Sequence, residues 1–161
     1  METLINNNIN KESLTFSEKK IKAKKIINLI NNYFQSNCEN ENKTKSIIIP
    51  RQMAMYYIRT YLGLTANETA KLFPSKKAGS GHKHHATVLH AQSTISDLID
   101  VDFEIKAFHK DLDIHCQNIA KLNSSDIENY TIIEDISNNL KQLETNQLKR
   151  ISQYINHRYL N

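Results

Sequence analysis

Residues 50–91 read PRQMAMYYIRTYLGLTANETAKLFPSKKAGSGHKHHATVLHA, and this stretch decides the fold. Proline suits the first turn of a helix, and the residue before it avoids the α region. A helix is therefore predicted to start near Pro50 and to run to Leu62, where Gly63 supplies a C-terminal stop. Thr65-Ala66-Asn67-Glu68 is a capping box that opens a short helix to Phe73, ended by Pro74. Ser75 to Lys83 holds two of the three glycines in the chain and reads as a loop. The next helix is predicted to begin near His84 and to bury Val88, Leu89, Ala91, Ile95 and Leu98. Two helices around a Gly-containing turn, the first of them short, are the outline of a helix-turn-helix.

Upstream, Ser17 to Phe34 is predicted helical, because Ile21, Ile26, Leu29, Ile30, Tyr33 and Phe34 recur at helical spacing with lysines on the other side. Residues 1–16 read as a loose arm, and Gln35 to Ser46 as a loop. Downstream, Phe103, Ala107, Phe108, Leu112 and Ile119 indicate a further helix, and Asn123 to Asp126 is a break with cap chemistry. Ile136, Leu140, Leu143, Leu148, Ile151 and Ile155 mark a final amphipathic helix or pair of helices. Three glycines and two prolines in 161 residues argue against a turn-rich β fold. The expected class is all-α: a helical bundle with a helix-turn-helix and a C-terminal helical extension. Its expected division is an arm at 1–16, a helix-turn-helix domain at 17–118 and the extension at 119–161.

Charge is distributed unevenly. The net charge is +4, but residues 43–90 hold eight basic residues against Glu68 alone, for +7, while residues 91–161 hold seven basic and eleven acidic residues, for −4. One basic block between weakly charged and acidic flanks is the footprint of a nucleic-acid face. Cys38 and Cys116 are far apart and outside any Cys-rich frame, so they read as reduced intracellular thiols. With no apolar stretch of signal or membrane-span length, the expected location is the cytoplasm, away from membranes. His82, His84, His85 and His90 cluster, but no two of them are spaced i,i+4 and no nearby Cys or carboxylate completes a set, so no metal is expected. His115 neighbours Cys116 but points about 100° away from it on a helix. No catalytic residue or cofactor is assigned, and the chain reads as a non-enzyme.

Pro50-Arg51-Gln52-Met53-Ala54-Met55-Tyr56 and Thr87-Val88-Leu89-His90-Ala91, in this order, resemble the two hallmarks of the C-terminal DNA-binding domain of the bacterial replication initiator DnaA. Tyr33-Phe34 resembles the aromatic pair of the helix before that family's basic loop. The resemblance covers roughly residues 20–115 and implies a recognition helix in the major groove of double-stranded DNA. It also implies a minor-groove arginine at Arg51 beside Gln52, a basic loop around Lys43 and Lys45, and base and phosphate reading by His84, His85, Ala86 and Thr87. Lys76, Lys77 and Lys83 are then phosphate contacts, and His90 is either a packed helix residue or a further contact.

Departures from the family pattern are specific. His84 stands where the family has Asp, so a carboxylate acceptor is replaced by an imidazole. Ala86 replaces a hydroxyl with a methyl, Lys83 replaces Arg and loses its bidentate fork, and the turn is longer. No G-x-x-x-x-G-K-[ST] loop is present, so the resemblance is to the DNA-reading module without the ATPase and no nucleotide is expected. The reading is a sequence-preferring duplex-DNA binder in replication initiation or transcription control. The alternative is the same domain used as a protein-interaction or structural module, with residues 119–161 offered to a homo-oligomer or protein partner.

Overall fold

The computed structural model describes residues 15–41, 44–76 and 78–159. Every regular element among them is a helix: α1 (Phe16–Phe34), α2 (Lys45–Leu62), α3 (Ala66–Ala70), α4 (His85–Val101), α5 (Phe103–Lys121), α6 (Ser124–Lys141) and α7 (Thr145–Tyr159). The molecule is all-α, and its chain divides into two compact units between Lys121 and Leu122. Of the 1–16 arm expected from the sequence, residues 1–14 lie outside the described residues.

Local chemistry fixes the helix ends. Thr15 caps α1 and Thr65 caps α3, each in a capping box with the Glu three residues on, which satisfies amides that the first turn leaves open. Gly63 closes α2 at φ 61°, where a side chain would be strained. In the first unit α2 is the hub, packing against α1, α3, α4 and α5. Ile26, Ile30, Met53, Tyr57, Ile58, Phe73, Val88 and Ile95 are fully or almost fully removed from water and form one core. Phe34, Tyr33 and Phe108 meet edge-on, tying the end of α1 to α5.

Four expectations need correction. The second helix begins at Lys45, five residues before Pro50, so Pro50 lies inside it. Thr44 accepts the Ile47 and Ile48 amides, at 3.0 and 2.9 Å, and Pro50 is buried, so packing overrides the local bias against helix at Ile49. Lys22, placed among the solvated lysines, is buried, and its Nζ donates to the Ala120 carbonyl at 2.8 Å. That carbonyl sits at the C-terminal end of α5, where a cation is favoured, although burial still pulls the Lys22 pKa below its ordinary value. Phe103, counted with the apolar face of its helix, is 88% exposed, because it is the first residue of α5. Leu89, expected in the core, is exposed as well.

In the second unit Asn123 caps α6 in a capping box with Asp126. At the start of α7 the Glu144 amide donates to the Gln147 side chain at 2.9 Å. Ile127 is buried, but the rows Ile133–Ile136 on α6 and Leu148–Ile151–Ile155 on α7 are open to solvent.

Phe73→Ala is expected to lower urea-unfolding stability by about 3–5 kcal/mol, since it leaves a cavity where the core meets the helix-turn-helix. Burial pushes both thiols, Cys38 and Cys116, up to about 12. Folded chains then hold protons that unfolded chains release, so stability is full below about pH 9 and falls above it, by about 1.4 kcal/mol per pH unit for each thiol. The unfolding midpoint measured from pH 8 to 11 checks this, and Cys38→Ala with Cys116→Ala is expected to flatten the slope.

Candidate nucleic-acid interface

The sequence of α4 builds a two-sided helix. Val88, Ala91 and Ile95 are buried, and helical spacing then turns Ala86, Leu89 and His90 to the opposite, exposed side, with His85 and Thr87 on its flanks. Leu89 is 47% exposed, although an apolar residue beside Val88 reads as core in the sequence. One residue is a rotation of about 100°, which is enough to leave the core face. His90, too, stands out in water.

His84 is the N-cap of α4, and its Nδ1 accepts the Ala86 amide at 3.2 Å. That role requires the neutral ring with hydrogen on Nε2, so the atom left for a ligand is a donor. The His84 and His85 rings lie 4.0 Å apart at the helix N-terminus, where amides and the helix dipole favour an anion. Chemically, the cluster of Lys83, His84, His85 and Thr87 presents donors, and the row behind it presents a methyl, an isobutyl group and an imidazole.

The long turn is closed at its base. The Ser75 amide donates to Gly81 at 3.0 Å, the Lys83 amide donates to Phe73 at 2.9 Å, and Pro74 pairs with His82 in an isolated antiparallel bridge. Gly81, at φ 73°, takes the left-handed conformation that lets its own amide reach Ala78 at 2.9 Å. The longer turn is thus closed at its neck, and α3 and α4 stay packed on each other.

Arg51 is held away from solvent. It is 8% exposed, its Nε donates to the Cys38 carbonyl at 2.9 Å, and a terminal nitrogen donates to the Asn40 carbonyl. Burial pulls its pKa below the ordinary guanidinium value, and the nearby Glu41 carboxylate opposes that pull. Glu41 in turn accepts the Lys76 amide of the turn. A chain of polar contacts thus runs from α2 through the loop at Cys38–Glu41 to the helix-turn-helix. The Arg51 guanidinium, expected from the sequence to reach a minor groove, here clamps two backbone carbonyls. Nothing in the local sequence pattern singles out Glu41.

The remaining candidates are dispersed. Gln52 is half-buried on α2, and Lys76 is exposed on the turn. Lys45 belongs to α2 rather than to a loop, and its Nζ lies 4.0 Å from Glu104, just beyond the C-terminal end of α4 and so far from His84. Lys43 and Lys77 lie outside the described residues. Among the described residues no group of three or more His, Cys, Asp or Glu side chains could hold a metal ion, and no helix is long and apolar enough to cross a membrane.

Residues 23–95, which contain the clamp, the turn and most of α4, match the family described as bacterial dnaA protein helix-turn-helix. This stretch is similar to the DnaA helix-turn-helix over a little under half of the chain. The chain is 35% identical over 95 residues to the chromosomal replication initiator protein DnaA of Lactobacillus johnsonii, covering 57% of this chain and 19% of that protein. It is 31% identical over 91 residues to DnaA of Bacteroides fragilis, covering 55% and 17%. With DnaA of Bdellovibrio bacteriovorus it shares 28% identity over 105 residues, covering 63% and 21%. The chain therefore spans about a fifth of the length of the curated DnaA relatives it matches. No solved structure gives a significant match.

Arg51→Lys keeps the charge at this position but loses the planar fork that reaches two carbonyls. It is expected to cost about 1–3 kcal/mol in urea unfolding and to speed amide exchange at Lys76. Unchanged stability and exchange would mean that the clamp does not hold the turn.

Proposed function

We propose that this chain is a sequence-preferring binder of double-stranded DNA that lays α4 in the major groove and serves replication initiation or transcription control. The observation that carries this reading is the exposed row Ala86, Leu89 and His90 beginning at the His84-capped N-terminus of α4. The relatives' names add support, since each is a chromosomal replication initiator.

Ala86 and Leu89 offer apolar contact to thymine methyl groups, and His90 reaches a base edge. Lys83, His84, His85 and Thr87 meet phosphates at the helix N-terminus, with Lys76 and Lys77 on the same strand. Lys45, Lys43 and Gln52 touch the backbone farther along the duplex. Arg51 contributes by keeping the Cys38–Glu41 loop and the turn in place, instead of by reading a minor groove. With a ring donor at His84 and a methyl at Ala86, the preferred site differs from one read by a carboxylate and a hydroxyl.

The test is selection of bound duplexes from a random pool, followed by titration of the enriched sequence at two salt concentrations. One motif is expected to be enriched, with affinity falling roughly 10³-fold between 50 and 200 mM salt if about six phosphates are engaged. Lys83→Ala is expected to weaken all sequences alike and to lower the salt slope by about 1, whereas Leu89→Ala changes which base is preferred. Salt-sensitive binding without a motif would leave a backbone-reading protein, and no binding at low salt would overturn the reading.

A further inference from the structure

The second unit carries two helices whose apolar rows are exposed among the described residues. On α6 the row includes Ile132, Ile133 and Ile136, and on α7 Leu148, Ile151 and Tyr154; Ile133 is 61% exposed and Tyr154 is 63% exposed. Leu140 and Ile155 continue the rows at the three- and four-residue spacing of helices that pack side by side. Such contiguous apolar surface marks a protein contact.

Charge identifies the occupant. The α6 sequence holds four acidic residues against Lys141, for −3, whereas α7 holds Lys149, Arg150 and Arg158 with no acidic residue, for +3. The charges flank the rows at matching positions. Glu128 and Asp135 stand four before and three after Ile132, and Arg150 stands four before Tyr154 on the corresponding edge of α7. Helices packed antiparallel bring edges of the same kind together, so the acidic edge of an α6 meets the basic edge of an α7. The two helices also match in length, at roughly 27 Å and 23 Å for 18 and 15 residues. A surface that carries both halves of one complementary pair suits a copy of itself across a two-fold axis.

We propose that residues 124–159 form a homodimerisation element, in which α6 of one chain packs antiparallel on α7 of a second copy and the reverse contact forms across the axis. The oligomeric state does not depend on DNA, so the proposal can fail while the DNA reading stands, and the reverse.

The test uses the full chain without DNA, at low salt, in sedimentation-velocity runs. Wild type is expected at twice the 18.6 kDa of one chain. Glu128→Lys with Asp135→Lys makes both helices basic, and Lys149→Glu with Arg150→Glu makes both acidic, so each double variant alone is expected to run as a single chain. Mixed, the two variants are expected to form a dimer, because every α6–α7 contact between unlike chains is again of opposite charge. A monomeric wild type overturns the proposal. So does a dimer that both variants retain, and so do variants that stay single when mixed, which is the result if α6 and α7 satisfy each other within one chain.

Discussion

A guanidinium taken out of water must find acceptors, and at Arg51 the acceptors are main-chain carbonyls of the loop before its own helix. That requirement fixes the neighbouring segments in turn. The loop cannot move without orphaning a buried cation, and the carboxylate next along the loop is bonded to the turn. A residue that a sequence motif marks for contact with DNA also clamps main-chain carbonyls. The exposed chemistry of the domain lies on another helix, whose placement depends on that architecture.

The polarity of α4 has a simple origin. Three small or branched side chains at helical spacing bury one face, and the opposite face is left with whatever chemistry selection has put there. Here that chemistry is mixed: a methyl, a larger apolar group and a ring that can donate or accept. Direct readout of base edges needs such a mixture, since an all-cationic face would bind phosphate without discriminating sequence. On the proposed reading, the +7 block of residues 43–90 supplies the attraction and the few uncharged groups on α4 supply the choice.

Much of the fold was legible because the relevant signals are local. The capping box at Thr65–Glu68, the glycine at 63, the period of Ile26 and Ile30, and the cap at Asn123 each specify a helix end or face without reference to distant residues. The errors came where distant residues decide. Pro50 argued for a helix start, yet the helix begins at Lys45 because the turn before the proline is packed into place. Leu89 looked like core because composition cannot tell two neighbouring apolar residues apart, whereas a rotation of about 100° can. Lys22 looked solvated because its acceptor lies 98 positions away in sequence. At the site, the start of α4 was readable from the motif at 87–91, but the clamp was not, since the motif names Arg51 without naming its partners.

The neck of the long turn has a consequence for how such a domain can vary. With Phe73 bonded to Lys83 and Ser75 bonded to Gly81, the ends of the loop are fixed to each other, and the Lys76 amide ties the loop to Glu41 as well. A change at the tip therefore meets a neck that main-chain hydrogen bonds already close, beside an α3–α4 contact that the loop does not make.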